Sequence, residues 1–181
     1  MNDFSNEHIA HHDSTVKNES SKKWTGNIHL GSQVDISVVL GQLTQAFNDS
    51  PYFSHNNMQM RVVDGAIEGF IEMQPYLIGN AAFQILHGGV AATLLDSIGG
   101  IVAMGELYKQ AEPDNLADTL KKVARLATVD MRVDYLAPGR GEYFIARAEV
   151  LRLGRKGCTM RMTMTNNDDK AIATAIASYA Y

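Results

Sequence analysis

Leu86-His87-Gly88-Gly89-Val90-Ala91-Ala92-Thr93-Leu94-Leu95-Asp96-Ser97-Ile98-Gly99-Gly100 is the stretch from which the fold is read. It opens on a His-Gly-Gly turn, continues as an almost unbroken apolar run, and carries one carboxylate, Asp96, in the middle. Apolar residues from Val90 to Met104 occupy every side of a helical wheel, the pattern of a helix enclosed by protein. The run is short for a bilayer span and is interrupted by Asp96 and by glycines, so no membrane insertion is expected. An isolated buried carboxylate is costly, so Asp96 is paired, driven toward neutrality, or set in a cleft for chemistry. At the other end, the first N–H groups of the helix lack internal acceptors and carry the positive end of its dipole. Gly88 and Gly89, without side chains, would leave those N–H groups open to a ligand oxygen.

The spacing sets a geometric limit. At ~1.5 Å rise per residue, Gly88 and Asp96 stand about 12 Å apart along one helix. A reacting carbonyl must lie within about 3 Å of both the donor and the attacking group. One helix therefore does not serve one substrate with both groups. If both act, the second comes from an antiparallel copy, which predicts a symmetric homodimer with two composite sites.

His87-Gly88-Gly89 followed by Leu95-Asp96 resembles the signature of hotdog-fold acyl-CoA thioesterases of the phenylacetate-pathway type. The stretch Ala127-Thr128-Val129-Asp130-Met131-Arg132-Val133-Asp134-Tyr135-Leu136-Ala137-Pro138-Gly139-Arg140-Gly141 is similar to that family's third strand and following turn, and the likeness runs over residues 57–181. The resemblance implies an α+β hotdog fold, one antiparallel sheet wrapped around a long helix, assembled as a homodimer or a dimer of dimers. It implies hydrolysis of a fatty or aromatic acyl-CoA to the free acid and coenzyme A, with no metal and no cofactor beyond the coenzyme A of the substrate. In that chemistry Asp96 is the nucleophile on the thioester or the base that activates water, and the residues alone leave both open. Gly88 polarises the carbonyl through its backbone N–H, and Gly89 lies beside it against the substrate.

Other carry-overs are weaker. His87 orients the loop or substrate, or simply caps the helix. Thr128 matches a strand hydroxyl that holds the attacking water, although a β-branched strand residue needs no such role. The family's amide falls at Ala81, six residues before His87; Asn80 stands one residue earlier, and Gln84 could substitute. Arg140, Arg155 and Lys156, on two basic turns, suit the phosphates of coenzyme A. A hotdog hydratase or dehydratase using His87 with Asp96, and a non-catalytic acyl-CoA sensor, are the competing readings. The double glycine after His87 favours hydrolysis, and no helix-turn-helix pattern supports a DNA-reading sensor.

Working outward, 181 residues fit one domain with a sizeable core. Hydrophobic content of 45% and a formal charge of −4 make nucleic acid an unfavoured partner. Cys158 is the single cysteine, so no internal disulfide forms, in keeping with a cytoplasmic setting. It falls in a strand and reads as packing. No Gly-rich phosphate loop, CxxC, HExxH or GxSxG is present.

Residues 1–30 read as a polar, disordered tail, with His8, His11 and His12 as solvated side chains and Trp24 as an anchor where order begins. The hotdog domain is expected over 31–181. It starts with an amphipathic helix at 36–48 that ends before Ser50-Pro51. Two strands, 57–63 and 66–73, join at Asp64-Gly65. A helical excursion at 107–126 either shapes the substrate entrance or decorates the rim. Four strands follow, and alternation puts Met160, Met162 and Met164 on one face. With Phe83, Tyr135 and Ile98, these methionines are the expected lining of an apolar acyl pocket.

Overall fold

The computed structural model describes residues 35–181; the readings of the first 30 residues, with His8, His11, His12 and Trp24, lie outside that span. Helix α1, Ile36–Asn48, starts at Asp35, whose carboxylate accepts from Ser37 N–H at 3.0 Å and from Ser37 Oγ at 2.7 Å. These bonds hold the Asp35 carboxyl below its usual range, the side-chain bond contributing most. A second short helix, α2 (Pro51–Asn56), was not anticipated. Ser50-Pro51, read as a stop, is also a start: Ser50 caps by accepting from Phe53 N–H, and Pro51 fills the first turn.

Strands β1 (Met58–Val63) and β2 (Ala66–Glu72) form the expected hairpin. Asp64 and Gly65 both have positive φ, 50° and 77°, which matches the twist of a two-residue turn. A single 3-10 turn at Pro75–Leu77 leads to the small ladder β3 (Ile78–Asn80) with β4 (Ile85–Leu86). Then comes α3, Gly88–Lys109.

The final third is α4 (Leu116–Arg125) followed by β5 (Ala127–Tyr135), β6 (Tyr143–Leu153), β7 (Gly157–Asn166) and β8 (Ala171–Ala180). The six long strands make one antiparallel sheet in the order β1-β2-β6-β7-β8-β5. Helix α3 lies across its inner face, the hotdog arrangement. Leu94, Leu95, Ile98 and Ile101 are fully enclosed against Phe144, Met160, Met162 and Met164. The remaining side of α3 is covered in part by α1, through Val39, Leu40 and Leu43, and by α4 through Val123. The sheet alone does not close around the helix.

Three expectations need correction. The excursion begins later than residue 107, because α3 runs on to Lys109 with Leu107 and Tyr108 buried. At 22 residues and mean hydropathy 1.5, α3 is long and apolar enough to cross a membrane, so the short-run argument fails; its apolar surface is instead met by the chain's own sheet. The methionine row and Ile98 are sealed in packed core, while Phe83 and Tyr135 are 61% and 56% exposed, so these residues do not share a pocket.

Candidate active site

Two ties between β5 and α3 define the two ends of the site. At the helix start, His87 has extended backbone, φ −64° and ψ 130°, and its Nδ1 accepts the Gly89 N–H at 2.9 Å. The proton of a neutral His87 ring is thereby placed on Nε2. Its own N–H donates to Leu77 O at 2.8 Å, and Leu86 N–H donates to Gly139 O at 2.9 Å, so both flanking loops brace the turn. Gly79 makes room for it, since a Cβ there would lie 2.6 Å from His87 Cα. Tyr135 OH donates to Gly88 O at 2.8 Å.

These bonds discriminate between the two glycines. The Gly89 amide, expected to be open, is taken by His87, whereas the Gly88 N–H has no hydrogen-bond acceptor among the described residues. Gly88 sits on the wall of a cleft of about 530 Å³ with Ile85, Tyr135, Pro138 and Ile172. A free amide at a helix start on a cleft wall is the geometry an oxyanion needs.

Two turns along α3, the other end is built around Asp96, which is partly exposed. Its Oδ1 accepts from Thr128 Oγ1 at 2.9 Å and from Tyr179 OH at 3.3 Å, and the same tyrosine hydroxyl lies 2.8 Å from the Asp96 backbone oxygen. Oδ2 has no partner among the described residues and is left to act. The Tyr179 hydroxyl is held in its protonated form, its pKa raised by burial first and by the Asp96 charge second. Gly99 allows that approach, because a Cβ there would collide with the Tyr179 hydroxyl.

Thr128 reaches Asp96 because of a bulge. β5 pairs Thr128 with Tyr179 and Asp130 with Ser178, so Val129 is an extra residue and stands 68% exposed. Strict alternation would put Thr128 on the face opposite Met131 and Val133; the inserted residue shifts the phase and turns Thr128 inward with them.

The other sequence-derived residues are placed as follows. Asn80 Oδ1 accepts from Ala82 and Phe83 N–H, and Gln84 Nε2 donates to Ala81 O, so both amides shape the β3–β4 turn. Arg140, on the β5–β6 turn, is exposed near the helix start. Arg155 and Lys156 occupy the turn at the far end of β6, about 35 Å away by strand rise, so they do not form one phosphate site with Arg140 within the chain. Arg155 joins Lys121, Lys122 and Arg125 in a basic cleft of about 530 Å³. Among the described residues no three His, Cys, Asp or Glu side chains come together to hold a metal ion. Cys158 is buried, and burial raises its thiol pKa, as suits a packing residue.

Residues 83–173 match the family described as the Thioesterase superfamily. The chain is 42% identical over 106 residues, 59% of its own length and 68% of the relative's, to the medium/long-chain acyl-CoA thioesterase YigI of Escherichia coli K12. A Shewanella oneidensis crystal structure related to the same superfamily superposes with a TM-score of 0.76 at 34% identity, over 82% of this chain and 99% of that one. A thioesterase family protein from Silicibacter pomeroyi gives 0.60 at 25% identity over 78% and 96%.

Proposed function

Because the chain belongs to the thioesterase superfamily, we propose that its site hydrolyses acyl-CoA thioesters to a free acid and coenzyme A. The observation that carries this reading is the Asp96 carboxylate, held through Oδ1 by two hydroxyls, with Oδ2 unpartnered among the described residues. Water attacks the thioester carbon while Oδ2 takes its proton. The oxygen of the tetrahedral intermediate accepts from the Gly88 N–H, and collapse expels the coenzyme A thiolate, which takes the proton held by Asp96 and regenerates the carboxylate. Thr128 Oγ1, donating to Asp96, keeps lone pairs with which to orient that water. The sequence calls for no metal or bound cofactor in these steps.

Asp96 and Gly88 remain about 12 Å apart along α3, so the site is completed by a second copy. β5 is an edge strand with Val129 and Tyr135 exposed, followed by exposed Leu136, and such an edge pairs readily. Thr128 and Tyr135 lie on either side of its middle. Antiparallel pairing of two β5 strands brings the Thr128–Asp96 end of one copy beside the Gly88–Tyr135 end of the other. The basic cleft of Lys121, Lys122, Arg125 and Arg155 suits the coenzyme A phosphates. Burial of the apolar core of α3 against the sheet supports a water-soluble enzyme, and a single cysteine is in keeping with a cytoplasmic setting.

The hydratase reading needs His87 for proton transfer; its Nδ1 is occupied by the cap, which leaves Nε2 as the one ring nitrogen for that role. The test is thiol release from acyl-CoA by the wild type and by Asp96→Asn. We expect turnover by the first and a loss of about 10²–10⁴-fold in the second, with unchanged circular dichroism. Near-normal turnover by Asp96→Asn would remove the carboxylate from the mechanism.

A further inference from the structure

The helices outside the sheet enclose a second cleft that the chemistry above does not use. It holds about 450 Å³ between α1, α2, α3 and α4, and Phe47, Tyr52, Phe53, Met104, Val123 and Ala124 form most of its wall. Among the described residues no charged side chain lines it. The volume falls in the ~300–1,000 Å³ range of small-molecule sites, and the two clefts flanking α4 differ in chemistry: this one is apolar, whereas the other is basic.

The apolar cleft approaches the candidate active site through Tyr52, which lines the cleft and whose hydroxyl reaches Thr93 on α3. From Thr93, steps of three and four residues lead to Asp96 and Ser97, then to Gly100, then to Met104, so these residues share one face of the helix. Thr93, Asp96, Ser97 and Met104 are all partly exposed, whereas Gly100 between them is buried, facing Tyr179 and Leu126, which closes the direct line from Asp96 to Met104. At the near end Tyr52 OH lies 3.3 Å from Thr93 Oγ1, one turn from the carboxylate, while at the far end Met104 is part of the cleft wall. Asp96 and Met104 are separated by about 12 Å of helix, a span that an extended medium-length alkyl chain covers.

Resting on the thioesterase reading, we infer that this cleft receives the alkyl tail of the substrate, and that Ala124 and Met104 set the chain length accepted. A tail whose thioester lies at Asp96 leaves past Thr93, follows Tyr52 into the cleft, and ends among Phe47, Met104 and Val123. Short acyl groups stop before the cleft and gain nothing from it. Each further CH₂ placed inside is worth roughly fourfold in affinity. The helices α1, α2 and α4 therefore act as the selectivity element, and the sheet and α3 carry the hydrolysis.

The experiment compares kcat/KM for butanoyl-, decanoyl- and palmitoyl-CoA in the wild type, Ala124→Phe and Met104→Trp, with melting temperature and oligomeric state measured alongside. Ala124 is exposed, so the larger side chain enters the cleft without breaking the core. The expected result is a fall of about tenfold or more in the ratio of palmitoyl- to butanoyl-CoA turnover in both variants. Wild-type turnover with an unchanged chain-length ratio in both variants overturns the assignment of the cleft alone. A changed oligomeric state with an unchanged ratio also overturns it, because a second copy then occupies the cleft. No thiol release by the wild type from any of the three overturns the thioesterase reading together with this inference.

Discussion

The hydroxyl of Tyr179 lies 2.8 Å from the backbone oxygen of Asp96 and 3.3 Å from its Oδ1, joining the last strand to the middle of the central helix. The bond to the carbonyl adds a second donor to a helix oxygen. The longer contact helps fix the side chain. Tyr179 is a positioning residue: it acts on the reaction through Asp96.

Tyr179→Phe removes both contacts and retains the ring. The expected effect is a drop of about tenfold in kcat with little change in KM, and a loss of ~1 kcal/mol of stability. Linkage adds a second readout. The Tyr179 pKa is raised above its ordinary value of 10.0, so between that value and the folded one the native state holds a proton that the unfolded state has released. Its stabilising contribution is complete below pH 10 and declines as pH rises further. Denaturant midpoints at alkaline pH should fall less steeply in Tyr179→Phe than in the wild type; equal slopes would contradict the assigned shift.

Gly88→Pro removes the backbone donor, and the Cβ it adds comes within 3.2 Å of the Tyr135 ring, which must give slightly. Proline at the first helical position keeps the helix geometry but has no N–H. We expect a loss of about 10²–10³-fold in kcat. Mixed with Asp96→Asn subunits after joint unfolding and refolding, Gly88→Pro should recover part of the activity, because a hybrid dimer contains one intact composite site. Failure of every such mixture would show that both groups act from one chain.

Thr128→Val preserves shape and deletes the donor to Asp96 Oδ1. A fall of about tenfold in kcat is expected, reversed by Thr128→Ser, which restores the hydroxyl. Single turnover in ¹⁸O-labelled water should place the label in the acid product and none in Asp96. Label recovered in the aspartate would make the carboxylate the nucleophile.

Gly79→Ala tests the support of the His-Gly-Gly turn. Its new Cβ meets the Cα of His87 at 2.6 Å and the root of its side chain, which cannot swing away. Relief requires the turn to shift, at a cost of about 1–3 kcal/mol by analogy with overpacked cores. A lowered melting temperature together with lowered kcat is the expected outcome in differential scanning calorimetry and thiol release.

Which parts of this site are legible in a sequence depends on how local their causes are. His87, Gly88, Gly89 and Asp96 belong to one helix and its entry, so their spacing alone gives the separation of donor and carboxylate. Asp64-Gly65 and the methionine alternation are equally local. Tyr179 is 83 residues from Asp96, in a strand where an aromatic residue is ordinary, and nothing near it in the chain points to the helix. Gly79 matters through an absent side chain, visible only once His87 is packed above it. Thr128 was noticed by resemblance, but the reason it faces inward, the extra residue Val129, is a property of strand pairing. Ser50-Pro51 carried two meanings, and only the structure shows that a helix starts where one ends.

The length and apolarity of α3 also matter during synthesis. Leu94, Leu95, Ile98 and Ile101 emerge from the ribosome before β5, β6, β7 and β8 have been translated, and at ~5–20 residues per second the nascent segment waits several seconds for its cover. Throughout that interval it offers a chaperone, or a membrane-targeting factor, the same oily rod that the finished enzyme hides.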